Sequence, residues 1–294
     1  MIIGIGKKIR ICYVFNFYYN SMNISDLLIR GGYREYKKCL IWDLPSDEEP
    51  LLDINLARKL LTDSGCLMLH NVYDWDCKEE TNFWEIICDK GYEIQDLPSK
   101  TRNMVRRSLK DCDIRIISNI ELIEDNGYDV LDKAYIRYKD KNCNPISRST
   151  WEEAIRNDLK SEFWGVYIKE TGKLIAYSKN SIGGLRVNYA SMKSIPEYMN
   201  KHYPNYGLLY EMTRYYLKER KYRYVTDGYR SITEHSGIQD FLIKRFLFRK
   251  AYCRLTIYYK WWFGIAVRLL YPFRSFINIA PISHVLKYDA LTRE

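Results

Sequence analysis

The sequence predicts a mixed α/β fold (α+β in character) in which helices flank a sheet of mixed strand direction. Hydrophobic residues make up 47% of the 294 residues and charged residues 28%, as in a soluble globular chain. From residue 113 onwards, short runs rich in Val, Ile, Tyr and Phe alternate with amphipathic helical patterns. Helices between the later strands suit crossover connections, which parallel strands require.

Charge and cysteine content narrow the class of protein. The net charge is +9, and residues 201–294 carry 17 Lys and Arg against 7 Asp and Glu. A basic region indicates an anionic partner, such as nucleic acid, a phosphorylated cofactor or an acidic membrane surface. The eight cysteines lack the C-x-x-C spacing and the His partners of structural zinc, so we expect buried thiols and no metal.

No stretch of about 18 uncharged apolar residues is present, and the N-terminal apolar run lacks the cleavage site of a signal peptide. We therefore expect a cytoplasmic protein. Its basic character is also compatible with peripheral attachment at the inner face of the membrane.

Three segments are predicted along the chain: an N-terminal α/β extension at 1–98, a regular α/β domain at 99–259, and a basic aromatic tail at 260–294. In the extension, the patterns predict strands over 9–17, 38–43 and 66–70, and helices over 54–62 and 81–90.

The second segment begins with a basic helix over 100–110 and then follows the order β-α-α-β-β-β-α-β-α-β. The predicted strands are 114–117, 163–169, 174–178, 185–192, 222–226 and 251–259. The predicted helices are 130–138, 150–160 (opened by a capping box at Thr150), 206–220 and 238–246.

This order, over residues 113–259, resembles the GNAT acyltransferase superfamily, and it is most similar to the Fem-like branch that includes peptidyltransferases. Two local sequences carry the resemblance further. The run Phe241–Lys250 is similar to the family's junction between the last helix and the following strand, and the run Arg102–Arg107 is similar to the arginine-rich helix of the Fem-like branch. The resemblance implies a GNAT-like mixed sheet, with residues 1–98 as either a degenerate copy of the same half-fold or a lid.

The resemblance also implies where an acyl donor binds. In that family the donor lies in a gap between the fourth and fifth strands, with its pyrophosphate at the start of the next helix. The donor is acyl-CoA, such as acetyl-CoA, or an aminoacyl-tRNA, and the acceptor is an amine. The donor-binding candidates on the fourth strand and next helix are Asn188, Tyr189, Ser191, Asn205, Tyr206 and Gly207. For Asn188, Tyr189 and Ser191, the alternative is that these side chains only pack in the core or on the surface.

Three positions depart from the family pattern. Pro204 replaces the Arg or Gln of the phosphate loop, Leu209 replaces its second small residue, and Ile243 stands near the place of the usual tyrosine acid. Catalysis would therefore use other groups.

The best-placed polar cluster follows the strand at 222–226, because ligands in open α/β sheets gather beyond the carboxyl ends of strands. The catalytic candidates in this cluster are His235 as a base, Asp227 as its orienting group or substitute, and Tyr229. Arg230 would hold an anionic donor. The alternative is that Asp227-Gly228 forms a plain turn and His235 is merely exposed.

Two basic regions complete the sequence prediction. Arg102, Arg106 and Lys110 are spaced by four residues along one helix face, which suits the phosphates of tRNA or CoA. Pairing of that face with Asp111 and Asp113 is the alternative.

In the tail, aromatic residues are interspersed with Lys and Arg, a pattern typical of an interfacial membrane helix. The alternative is that these aromatics pack on the domain or on a second subunit.

Two functions follow from these observations. The first is a GNAT-type acyltransferase that transfers an acyl or aminoacyl group to an amine, such as that of a sugar or cell-envelope precursor. The second is a catalytically silent GNAT-like module that binds RNA or an anionic membrane surface.

Overall fold

The computed structural model describes residues 32–42, 46–48, 52–136, 145–230, 232 and 237–293. The predicted strand at 9–17 lies outside the described residues. The described residues divide into two compact units, the first within the bounds Met1–Trp84 and Tyr252–Glu294 and the second within Glu85–Ala251. The predicted segment boundaries at residues 98 and 259 stay a prediction.

The strands, in chain order, are β1 (Tyr33–Tyr36), β2 (Cys39–Trp42), β3 (Met68–Cys77), β4 (Phe83–Cys88), β5 (Cys112–Ile117), β6 (Ser161–Ile168), β7 (Leu174–Gly183), β8 (Arg186–Ser194), β9 (Tyr224–Tyr229) and β10 (Arg249–Tyr259). The helices are α1 (Ile54–Ser64), α2 (Ser99–Asp111), α3 (Asn119–Glu124), α4 (Gly127–Tyr135), α5 (Arg148–Arg156), α6 (Pro204–Arg214), α7 (Gly237–Phe246), α8 (Trp261–Leu270) and α9 (Ala280–Leu291).

In the first unit, the sheet order is β1-β2-β3-β10, with only the β2–β3 pair parallel. Helix α1 begins where the Asp53 carboxylate accepts from the amides of residues 55 and 56, and it ends at Gly65, whose φ of +70° is left-handed. The apolar stripe of α1 packs on the sheet, in a core built from Tyr33, Leu40, Leu60, Leu61, Cys66 and Leu69.

The sheet of the second unit has the order β4-β9-β8-β7-β6-β5, and only β8 and β9 run parallel. Helices cover both of its faces. Phe163 and Tyr167 of β6 pack with α3, α4 and α5, whereas Trp164 donates to the Tyr216 hydroxyl at 2.9 Å, in the π-helical turn after α6. Since neighbouring residues of a strand point to opposite faces, α6 lies on the face opposite α3–α5. The predicted mixed sheet with helices on both faces is confirmed.

Helix α2 packs closely against α6, and this contact explains Gly207. A Cβ added at Gly207 would lie 2.3 Å from Oγ of Ser108 and 2.5 Å from Cδ1 of Ile114. Leu209, at the family's second small position, is fully buried. Both residues therefore serve the packing of α6.

Two predicted elements are wrong. Residues 81–90 were expected to form a helix but contain strand β4, since the run Phe83–Cys88 is rich in aromatic and β-branched residues that favour a strand. The capping box expected at Thr150 is absent, because α5 begins at Arg148 with the Ser147 hydroxyl accepting from the Thr150 amide.

The six described cysteines are free thiols, and Cys66 and Cys88 are buried as predicted. Within the described ranges, no helix is long and apolar enough to cross a membrane.

The α2–α6 contact predicts the effect of one added methyl group. Gly207→Ala forces apart two packed helices, and this outweighs the helix propensity gained, so we expect the free energy of unfolding to fall by about 1–2 kcal/mol. Gly183→Ala is the matched control, because nothing lies within 4 Å of its added Cβ. Urea unfolding of both variants measures the difference, and equal stabilities would contradict the packing role of Gly207.

Candidate functional site

The neighbouring strands β8 and β9 are paired only at their beginning. Arg186, Val187 and Asn188 pair with Tyr224, Val225 and Thr226, and within the part of the chain that the structure describes the pairing stops there. Beyond this point β8 continues to Ser194, bonded to β7 alone, and β9 continues to Tyr229, bonded to β4. We call the opening between them, after Asn188 and Thr226, the wedge.

A β-bulge in β8 begins at the edge of the wedge. In its pairing with β7, the register changes from Ser181↔Asn188 to Lys179↔Ser191, so two residues of β8 oppose Asn180 alone. A bulge bends its strand and increases the local twist. The bulge therefore turns β8 at the residue where its pairing with β9 ends.

Strand β9 carries a second bulge at the same level. Its partner β4 pairs through Ile87↔Thr226 and then Ile86↔Gly228, so Asp227 is the additional residue. Gly228 has a φ of +87°, a conformation that glycine adopts without strain. The Thr226 hydroxyl accepts from the Gly228 amide at 2.8 Å and donates to Oε1 of Glu85 at 2.7 Å. These two hydrogen bonds, of which the one to Glu85 is buried, hold the shape of the β9 bulge.

Asp227 is a titratable group at the edge of the wedge, on strand β9. Its carboxyl is half-buried and has no hydrogen-bond or ion-pair partner among the described residues. Burial disfavours the charged form and raises the pKa of Asp227 to about 7. A carboxyl with that pKa changes protonation near neutral pH.

The three donor-binding candidates of β8 lie in different environments. Asn188 is half-buried at the last pair before the wedge. Tyr189 is buried in the core, where its hydroxyl lies 2.9 Å from that of Thr213, and burial raises its pKa well above the usual value. Ser191 is half-buried beyond the bulge, and its carbonyl accepts from the Ser178 hydroxyl at 3.3 Å. Tyr189 thus packs in the core, which was the alternative to donor binding for this residue.

The candidates near the start of α6 hold that helix in place. The Asn205 side chain accepts from the Ser194 hydroxyl, which joins the start of α6 to the end of β8. Tyr206 contacts Phe241 of α7, with ring centroids 5.2 Å apart, and burial raises its pKa. Gly207 packs on α2. A role of these residues in donor binding stays a prediction.

The predicted catalytic cluster is only partly described. Asp227 and Tyr229 belong to β9, where the Tyr229 carbonyl accepts from the Gln239 side chain at 2.9 Å, and Arg230 follows, half-buried. His235 lies outside the described residues. Asp227-Gly228 is a bulge within a strand and not the plain turn that was its alternative.

The basic face of α2 does not pair with the acids expected to neutralise it. Asp111 bonds to Arg107 at 2.6 Å and to His202 at 3.1 Å, while Asp113 pairs with Arg115. Of the predicted anion-binding residues, Arg102 donates to the carbonyl of residue 95, whereas Arg106 and Lys110 are exposed and have no partner in the described ranges.

Sequence reasoning missed Glu85, because it lies in the run that was predicted as a helix. A glutamate inside the otherwise apolar run Phe83–Cys88 is itself a signal, since a buried carboxyl needs a partner. A cavity of about 250 Å³ is lined by residues of α3, α4 and the β6–β7 turn, together with Ile195 after β8. Among the described residues, no group of three His, Cys, Asp or Glu side chains is placed to hold a metal.

The mixed sheet with helices on both faces, and the parallel pair that opens into a wedge, agree with the GNAT-like fold that the sequence predicted. The predicted order had two helices between β5 and β6, whereas the structure has three, α3, α4 and α5. No protein-family model matches the chain, and no curated protein matches it in sequence. Solved structures that match it include FemX, which is 15% identical with a TM-score of 0.46, over 69% of this chain and 68% of that chain.

Two further structures are similar to this chain. The L-PGS from Bacillus licheniformis is 12% identical with a TM-score of 0.49, over 89% of this chain and 85% of its own. The PaiA N-acetyltransferase from Thermoplasma acidophilum, in complex with coenzyme A, is 18% identical with a TM-score of 0.28, over 37% and 74%. With identities of 12–18% and TM-scores below 0.5, these likenesses carry no argument about the activity of this chain.

The raised pKa of Asp227 predicts a pH-dependent stability. Between pH 4 and 7 the unfolded chain releases the Asp227 proton while the folded chain keeps it, so this residue makes the protein less stable as the pH rises. Asp227→Asn removes the penalty. We expect its gain in unfolding free energy over wild type to grow through that range, by about 1.4 kcal/mol per unit of pKa difference, and to level off above pH 7.

Urea unfolding from pH 4 to pH 8 measures this gain. Asp132→Asn, at an exposed carboxyl of α4, controls for the loss of one negative charge. A gain that does not change with pH would show that the carboxyl of Asp227 is not desolvated.

Proposed function

We propose that the second unit is an N-acyltransferase that binds an activated acyl donor in the wedge and uses Asp227 as its base. The observation that carries this proposal is the position of an unpartnered carboxyl, with a pKa of about 7, at the residue where β8 and β9 diverge. A general base is most effective when its pKa lies near the working pH.

Strand β8 supplies the means to hold the donor. Beyond Asn188 its backbone groups on the β9 side are free of strand pairing, so an extended ligand with amide groups can bond to them as an added strand. The pantetheine arm of acyl-CoA has such groups. The aminoacyl end of a tRNA offers a shorter set together with an ester carbonyl.

Phosphate groups of either donor would bind near the start of α6. Helix α2 packs antiparallel to α6, since Asp111 contacts His202 and Ser108 lies at Gly207. The start of α6 therefore lies beside the C-terminal end of α2, and the dipole of α6 favours an anion there. Few backbone donors are available at this helix start, because Pro204 has no amide hydrogen and the amides of Tyr206 and Gly207 donate to the Tyr203 carbonyl. Arg106 and Lys110 lie together on the exposed side of α2, opposite the buried side that carries Ser108, so they would meet phosphate groups only where the donor extends around the end of α2.

The reaction needs one proton to be moved. The amine nitrogen attacks the carbonyl carbon of the donor, a C–N bond forms, and the C–S bond of a thioester or the C–O bond of an ester breaks. The carboxylate of Asp227 takes the proton that the nitrogen loses and passes it to the leaving sulfur or oxygen. Holding donor and acceptor together in the wedge makes the attack effectively intramolecular.

The proposal is tested in two steps, first by donor binding and then by turnover. Thermal shift with acetyl-CoA, longer acyl-CoAs and aminoacyl-tRNA identifies the donor, and a panel of amines then identifies an acceptor. We expect Asp227→Asn to lower kcat by about 100-fold or more while the Kd of the donor is unchanged. We also expect the wild-type rate to rise with pH up to about 7, following the ionisation of Asp227.

Asp132→Asn is the matched control and should keep the wild-type rate. Stabilisation by RNA or lipid alone, with no acyl donor bound, would contradict the proposal and favour the catalytically silent module. Turnover that Asp227→Asn leaves unchanged would contradict the assigned base.

A further inference from the structure

The outward face of α8, in the first unit, is apolar. Trp261, Ile265 and Leu269 follow one another at intervals of four residues and are 78%, 51% and 68% exposed. Val267, on the opposite side of the helix, is 4% exposed. A helix at a protein surface ordinarily directs its polar side outwards. The exposed apolar face of α8 is therefore expected to be covered by a binding partner.

The apolar surface continues past the end of α8. Phe273, Phe276 and Ile279, in the segment that leads into α9, are 59%, 81% and 62% exposed. We call the whole surface the aromatic segment, residues 261–279. Isolated apolar side chains are common on protein surfaces, but so many large ones exposed within residues 261–279 mark an interaction site.

The inner side of α8 is already held by its own unit. The Phe263 ring lies 5.9 Å from that of Tyr259 in β10, and a Cβ on Gly264 would lie 3.1 Å from the Cβ of Tyr259. This close approach fixes the orientation of the helix. With Phe263 and Val267 on the inner side, the face that carries Trp261, Ile265 and Leu269 is directed to solvent.

The charges of the aromatic segment indicate which kind of partner binds to it. Residues 260–279 contain Lys260, Arg268 and Arg274 and no acidic residue. Arg268 is exposed beside the apolar face of α8 and has no partner within the described ranges. Tryptophan rings flanked by cations suit the headgroup region of an anionic bilayer, where apolar bodies enter the lipid and charged ends stay in water.

A second copy of the chain is a poorer fit, because a two-fold interface would place these cations opposite one another without any acid. Spanning the bilayer is excluded by length. The ten residues of α8 extend about 15 Å, half of the thickness of the hydrocarbon core.

We propose that the aromatic segment docks the first unit on an anionic lipid surface, with α8 lying in the plane of the interface and Trp261, Leu269 and Phe276 inserted. This docking is independent of the acyl transfer proposed for the second unit.

Co-sedimentation of the full chain with vesicles tests the docking. We expect binding to vesicles of phosphatidylcholine with 30% phosphatidylglycerol, and weak binding to phosphatidylcholine alone. The double variant Trp261→Ser/Phe276→Ser should lower the partition coefficient at least about tenfold, through the apolar area lost. The double variant Arg268→Gln/Arg274→Gln should lose the preference for anionic vesicles.

The control is the double variant Leu159→Ser/Leu185→Ser, which removes two other exposed apolar side chains and should bind as wild type. Circular dichroism confirms that each variant is folded. Absence of binding to anionic vesicles at low salt would overturn the proposal. So would equal binding by the Trp261→Ser/Phe276→Ser variant, or a concentration-dependent dimer that this variant abolishes while vesicles do not bind. Binding of a single-stranded RNA probe without vesicle binding would overturn it in favour of nucleic acid.

Discussion

The functional interpretation depends on one feature of backbone geometry, the early end of the parallel pairing between β8 and β9. Two neighbouring strands in the middle of a sheet ordinarily remain bonded along their length, since unpaired amide and carbonyl groups are costly to bury. Here each strand has a bulge at the residue where pairing ends, and each bulge bends its strand. The sheet is opened by its own register, so the opening needs no insertion or lid.

The same geometry accounts for the properties of Asp227. As the additional residue of the β9 bulge, it has no direct counterpart on β4, and the hydroxyl of Thr226 already satisfies the Gly228 amide and Glu85. The carboxyl of Asp227 is thus left partly desolvated and without a partner, which is the condition that raises its pKa. Perturbed carboxyls of this kind cluster at functional sites.

Much of the fold was accessible from the sequence, because helix signals are local. The helix predicted over 54–62 forms as α1 and ends at Gly65, and the helix predicted over 130–138 forms as α4, with Val130 and Leu131 in the core. Strand β4 was not recognised, because Thr81 and Gly91 on either side of it have the residue types that begin and end helices, and a short apolar run fits either element. The wedge was expected only from the family resemblance.

The details of the site depend on pairing between residues distant in sequence, and local patterns do not contain that information. Asp227-Gly228 has the composition of a turn, and only its register with β4 makes it a bulge. Glu85 and Thr226 are 141 positions apart, so their hydrogen bond could not be inferred from either segment. Gly207 matches the family's phosphate loop, yet its contact with Ser108 shows that packing also requires it.

Amide hydrogen exchange along β8, measured by NMR with and without an acyl donor, tests the central claim most directly. Val187, in the paired part of the strand, should be protected in both states. From Ala190 to Ser194, the amides that do not bond to β7 should exchange rapidly in the free protein and slow down when the donor binds, because the wedge leaves them unpaired and the donor pairs with them. Protection of those amides in the free protein equal to that of Val187 would contradict an open wedge.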